Sequence, residues 1–186
     1  LKKLVHHDGF TTLFKLQFEI NINKINRIFL FMNDKYINIY INLVNLTRNK
    51  DLYKNFSIQD TFSDRLVFFL LHFAFFLKVF KNNDKKILQD IYDYMFKQLE
   101  LSIREIGYGD TSINKKMKDY INFFHSIINK IENWNSINSS EKNKRINSIL
   151  NSDNNDDLSV YFNKYSIELE NNTLNYYIKS VIKPKI

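Results

Sequence analysis

His72 is the one polar residue between Leu66 and Leu77 in an otherwise apolar run. An imidazole there has two chemical uses. With Asp60 or Asp110 as an orienting carboxylate it is a hydrolytic base, which requires a cleft that exposes the ring. Enclosed, it is a core histidine whose nitrogens are satisfied by neighbours, and the apolar surroundings favour this second reading. A second charged group, Arg104, Glu105 and Asp110, flanks Gly107 and Gly109. It fits either a charged cluster at a turn or ordinary helix capping with ion pairing, and locally the latter is favoured. His6 and His7 lie near the start of the chain, and His125 has no acid at i±3 or i±4. No His pair at i,i+4 and no acidic metal loop occurs, so neither a metal nor a cofactor is expected. P-loop and Gly-x-Ser-x-Gly signatures are missing, and Gly107-Tyr108-Gly109 lacks the strand and third glycine of a dinucleotide fingerprint. With no cysteine in the chain, disulfides, thiolate metal sites and a Cys nucleophile are excluded.

The elements that must position these groups read as helices. The chain is short of glycine, with three in 186 residues, and has one alanine, one proline and five arginines. An AT-rich genome produces such a composition, so two glycines one residue apart mark a deliberate turn. Ile37, Tyr40, Ile41 and Val44 make one amphipathic face, followed by a short piece around Leu52, Tyr53 and Phe56. Asp60 is the expected N-cap of a helix over about 61–81, with Asp64 in its first turn. That helix is apolar almost all round. The twelve residues from Leu66 to Leu77, apolar but for His72, span roughly 18 Å as a helix, short of the ~20 residues of a bilayer span, which predicts a buried central helix.

A helix over about 84–106 carries the stripe Leu88, Ile91, Met95, Leu99 and Ile103, with acid-first pairs Asp93–Lys97 and Glu100–Arg104 on its surface. Gly107 is its expected C′ residue. Asp110 or Thr111 is expected to cap a helix over about 111–134 with stripe Ile113, Met117, Ile121, Phe124, Ile128 and Ile131. The two form an αα-hairpin. Ser139, Ser140 and Glu141 open a helix toward Leu150, residues 151–157 form a polar acidic loop, and helical patterns cover 158–170 and 173–182.

The fold class is therefore all-α: a single helical domain around a buried central helix and an αα-hairpin, with a poorly anchored N-terminal arm. Apolar content of 44% with 17 Phe and 11 Tyr argues against disorder. The first methionine is Met32, and residues 1–31 differ in character from the rest of the chain. Phe14–Ile22 alternates apolar and polar with no partner strand later. We divide the chain into an arm, 1–31, that stands upstream of the true start or is loosely attached, and a helical domain, 32–186. Neither a signal peptide nor a transit peptide is recognisable in the arm. Net charge is +7 with pI near 9.3, which permits RNA, a ribosome or an anionic lipid surface as partner. Few of the cations are arginine, the better phosphate fork, so a lysine-rich solvated surface is favoured over a dedicated nucleic-acid face.

Residue identity goes further than periodicity. Asp60-Thr61-Phe62-Ser63-Asp64-Arg65-Leu66 followed by Leu71-His72, then Asp93-Tyr94-Met95-Phe96, then Ile103-Arg104-Glu105-Ile106-Gly107-Tyr108-Gly109-Asp110 resembles, in order and spacing, the ubiquinol–cytochrome c chaperone family. Lys115-Lys116 and Phe124 continue the likeness, which covers about 36–134. The sequence departs at Asp64, where the family has glycine, at Gln98, where it has an acid, at Glu100, where it has Asp, and at Phe124-His125-Ser126-Ile127, which replaces an aromatic-Tyr-Gly-Arg group. The resemblance implies a non-enzymatic assembly chaperone for cytochrome b of complex III, holding newly made client near the ribosome or membrane. It implies cytochrome b as client, with a ribosome and a small helper subunit as further partners, peripheral contact with the inner membrane, and no DNA. Localisation would be cytoplasmic at the inner membrane in a bacterium, or the mitochondrial matrix in a eukaryote. On this reading Asp60, Arg65, His72, Asp93, Arg104, Glu105 and Asp110 converge on one polar cluster between the central helix and the hairpin tip. That cluster either locks the packing or meets a partner, and Arg65 is expected to reach an acid of 93–110. The rival is a general RNA- or ribosome-binding helical protein.

Overall fold

A computed structural model describes residues 35–182 apart from 57, 106, 108 and 152–156. The expected arm, residues 1–31, lies outside the described residues. Among those described, eight α-helices and one 3₁₀ turn account for the regular structure and no strand occurs. They are α1 (Ile37–Arg48), α2 (Lys50–Asn55), α3 (Phe62–Phe80), α4 (Lys85–Glu105), α5 (Asp110–Ile131), the 3₁₀ turn Trp134–Ser136, α6 (Ser139–Leu150), α7 (Asp157–Glu170) and α8 (Leu174–Lys179).

The greasy helix is the axle. Thirteen of the 19 residues of α3 are buried, because α1, α5, α6 and α7 all pack on it. Its apolar circumference is thus spent on protein neighbours, and no described helix is long and apolar enough to cross a membrane. Aromatic rings fill the spaces between rods. Phe75 stacks on Phe162 at 5.0 Å and meets Trp134 edge-on at 5.1 Å, while Phe73 stacks on Phe124 at 5.1 Å. Such contacts add to area burial. One continuous core runs from Tyr36 to Tyr177, so the helices after 134 complete the same domain.

The hairpin forms as the glycines imply. Gly107 has φ +94°, and its N–H bonds the Arg104 carbonyl at 2.9 Å. Helices α4 and α5 then pack together. The buried line on α5 is Ile113, Met117, Tyr120, Phe124, Ile127 and Ile131, rotated slightly from the expected stripe. Ile121 and Ile128 are only partly covered, since α5 faces α3 more than α4.

Several caps differ from expectation. Thr61, not Asp60, caps α3: its hydroxyl accepts from the Asp64 N–H at 3.2 Å and donates to the Asp64 carboxylate at 2.6 Å. With Thr61 as the cap, Asp60 stands one residue outside the helix and accepts from Arg65. Gly109 occupies the N-cap of α5, in extended conformation with φ −72°, ahead of the anticipated Asp110 or Thr111. Asn138 caps α6 by accepting from the Glu141 N–H at 2.9 Å. Helix α5 stops at Ile131 rather than 134, because Arg145 from α6 takes the Lys130 carbonyl at 2.9 Å. The last helix ends at Lys179, short of 182. The Asn42 amide donates to the Ser180 carbonyl and accepts from the Ile182 N–H, holding 180–182 extended along α1. On α1 the buried face is centred on Ile39, Tyr40, Leu43 and Val44, with Ile37 and Ile41 half-buried. Two neighbours, α3 and α8, cover that helix from different sides.

Candidate functional site

The first of the motifs builds the leading end of α3. Arg65 grips Asp60 through both forks: Nε donates to Oδ1, and Nη2 donates to Oδ2 at 2.8 Å. The pair is half sheltered, at 13% and 29% side-chain exposure, so it is stronger than an open surface pair. The guanidinium also fronts a small hollow of about 30 Å³ between α1, α3 and α4, with Tyr40, Leu99, Ser102 and Ile103 on its other walls. Burial pushes the Tyr40 phenol up, opposed by a hydrogen bond with Ser102 and by the field of Arg48. Helix α1, the end of α4 and the start of α3 thus meet at one corner, where Arg65, Tyr40 and Ser102 rim a largely apolar hollow.

The other expected residues spread along the hairpin. Asp93 accepts from the Gln89 amide at 2.8 Å on the outer face of α4. Arg104 bonds Glu100 at 2.7 Å, the i,i+4 pair anticipated. Glu105 ends α4, and its charge reaches Tyr40. Asp110 opens α5. Asp60 accepts from Arg65, and of the acids at 93–110, Asp93 accepts from Gln89 and Glu100 from Arg104.

His72 lies apart from that corner, halfway along α3 and fully enclosed. Its Nδ1 is 2.7 Å from the Phe68 carbonyl and its Nε2 is 2.7 Å from the Tyr161 hydroxyl. A carbonyl only accepts, so Nδ1 carries the proton and donates. Nε2 of the neutral ring then accepts from the Tyr161 hydroxyl. Burial holds the imidazole down at about 4, with the Phe68 bond opposing weakly, so the ring is neutral near pH 7. Tyr161, Phe162 and Tyr165 of α7 surround it at 4.8–5.6 Å between ring centres. A hydrolytic base must reach solvent or substrate; this one is a strut between α3 and α7. Sequence reasoning singled out His72 and missed Tyr161, 89 residues away. The signal present was a lone imidazole in an apolar run, which demands a partner but does not say which.

A groove of about 730 Å³ opens beside Tyr161. One wall is α1, through Ile39, Leu43 and Leu46; the other is α7, through Val160, Tyr161, Lys164 and Glu168. Phe56 and Phe76 lie beneath, and Tyr176 and Tyr177 close one side. Nothing in the local patterns announced it, because its walls come from opposite ends of the chain. Among the described residues no group of His, Cys, Asp or Glu is placed to hold a metal ion.

Comparison with known proteins bears on the α2–α5 part of this architecture. The family model described as ubiquinol-cytochrome C chaperone matches residues 54–134, from the end of α2 through Trp134. The Asp60–Leu66, Leu71-His72, Asp93–Phe96 and Ile103–Asp110 motifs all fall inside that match. No curated protein and no solved structure matches the chain.

Proposed function

We propose that this chain, whose residues 54–134 match the family model described as ubiquinol-cytochrome C chaperone, is a non-enzymatic assembly chaperone that holds newly made cytochrome b of complex III. The observation that carries the reading is the coincidence of the family match with the ordered motifs of 60–110 and with the α3–hairpin unit that they build. The physical form suits the task. The enclosed His72 leaves no reachable base on the central helix, and an open, aromatic-lined groove offers surface to an apolar client. Domain 32–186 is the working unit on this reading, with 36–134 as its inherited core. The sheltered Asp60–Arg65 pair locks the start of α3, while Asp93, Arg104, Glu105 and Asp110 lie along the hairpin and its tip, where a ribosome or helper subunit would read them. Peripheral contact with the inner membrane is a consequence of the client's own location.

The rival, general RNA binding, draws on the net charge of +7. Exposed Lys97, Lys115 and Lys118 of the hairpin are interleaved with Asp90, Asp93 and Asp119, a poor match to the contiguous cationic face that phosphate binding needs. Affinity purification of the tagged full chain from its own cells, followed by mass spectrometry, tests the proposal. Enrichment of cytochrome b, with or without ribosomal proteins, is expected. Ribosomal proteins alone would favour the rival, and neither would refute both.

A further inference from the structure

We infer that the groove between α1 and α7 receives an apolar α-helical segment of about three turns carrying a basic end. This deepens the assembly reading and rests on it for the client's identity, but the groove's own chemistry sets the class of occupant. Walls first: both are helices, and each lines the groove along one stripe, Ile39, Leu43 and Leu46 on α1 and Asp157, Val160/Tyr161, Lys164 and Glu168 on α7. No strand edge borders it among the described residues, and the Asn42 amide is already engaged by residues 180–182. An extended peptide would find no backbone partners, so an occupant that satisfies its own N–H and C=O groups, a helix, is the form that fits.

Length is set by α7. Asp157 and Glu168 stand at the two ends of its stripe, eleven residues and therefore roughly 16 Å apart. A guest helix of about eleven residues covers that distance at the same rise.

Charge selects the guest's ends. The protein carries +7, yet the charged lining of the groove is Asp157, Lys164 and Glu168, one cation between two acids. The α1 wall contributes no charge. A guest with Lys or Arg at one end meets an acid at either end of the stripe. Membrane-spanning helices carry that arrangement at their cytoplasmic ends. An anionic lipid surface would call for the opposite sign at the rim.

Exposure points the same way. Of the five large hydrophobic residues exposed among those described, four come after residue 157: Val160 (48%), Ile167 (58%), Tyr176 (42%) and Val181 (51%). Val160 and Tyr176 are on the groove itself. Apolar groups left exposed on an open groove, as these two are, mark a surface built to be covered.

The test uses the full chain and a fluorescein-labelled synthetic helix of about eleven Leu and Ala residues flanked by lysines, with a glutamate-flanked twin. Fluorescence anisotropy should show saturable binding of the lysine peptide and weaker binding of the twin. Glu168→Lys, at an exposed position where a cation suits the helix end, should weaken the lysine peptide on the order of tenfold and improve the twin, because a reversed rim charge reverses the preference. Val160→Glu should weaken both. No saturable binding by the wild-type chain, or unchanged preference in Glu168→Lys, overturns the inference. So does self-association or binding to phosphatidylglycerol vesicles that Val160→Glu removes while peptide binding persists. The two readings separate in cells. If deletion of the gene lowers complex III but Val160→Glu and Glu168→Lys restore it fully, the chaperone reading stands and the groove assignment falls. If the groove binds as described and deletion leaves complex III intact, the reverse holds.

Discussion

Acidification should weaken this protein through His72. The ordinary imidazole value is 6.5, and burial lowers it to about 4 in the fold. Because the folded value is the lower one, the unfolded chain takes up the proton first as pH falls. The contribution of the neutral ring is therefore intact above 6.5, is lost progressively between 6.5 and about 4, and is gone below. Linkage sets the total at about 3 kcal/mol, of which roughly 2 kcal/mol has disappeared by about pH 5. No discount for solvent applies, since the side chain is fully enclosed. Protonation also turns Nε2 from acceptor to donor, so the Tyr161 hydroxyl must reverse its role. Urea unfolding tracked by Trp134 fluorescence at about pH 7 and about pH 5 measures the difference. His72→Leu supplies the reference: less stable than wild type at neutral pH, but with ~2 kcal/mol less loss on acidification. Subtracting the two profiles removes the carboxylates and the other histidines. Equal losses in both proteins would refute the argument that His72 is a buried neutral strut.

Four further outcomes are expected from the same packing and backbone geometry. Tyr161→Phe should cost about 1–3 kcal/mol in urea unfolding, because it leaves the buried His72 Nε2 without its donor. Gly107→Ala should cost about 1–2 kcal/mol, since φ +94° strains any side chain, while Gly109→Ala, with φ −72° and open space around a new Cβ, carries no such strain and should cost less, about 0.5–1 kcal/mol, through the poorer N-cap of α5. Thr61→Ala should cost about 1 kcal/mol through the lost cap of α3. Phe75→Ala should cost about 3–5 kcal/mol, removing the ring between Trp134 and Phe162, with thermal melting as the readout.

The sequence spoke clearly wherever a signal was local. The stripe Ile91, Met95, Leu99 and Ile103 placed α4, and the paired glycines placed the turn, since periodicity and φ > 0 leave marks within a few residues. The 66–77 run, apolar but for His72, declared α3 buried. Caps were harder: Asp60 and Thr61 are both good N-cap types side by side, and the fold uses Thr61 as the cap while Asp60 pairs with Arg65. The candidate site was legible only in part. Residue types and their order picked out Arg65 and His72, but did not show that Asp60, five residues back, accepts from Arg65 or that His72 meets a tyrosine from α7. Tyr161, Tyr165 and the groove were invisible, because they depend on how far apart α1 and α7 stand on α3, a packing distance that no periodicity encodes. The family match, ending at 134, likewise stops short of the helices that finish the groove.

The central claim is that this chain serves the assembly of complex III, and the level of assembled enzyme in a strain lacking the gene tests it most directly. Native gel electrophoresis with immunodetection of cytochrome b should show assembled complex III sharply reduced while its transcripts stay normal, with recovery on reintroducing the full chain. Unchanged cytochrome b and unchanged assembled enzyme in the deletion strain would contradict it.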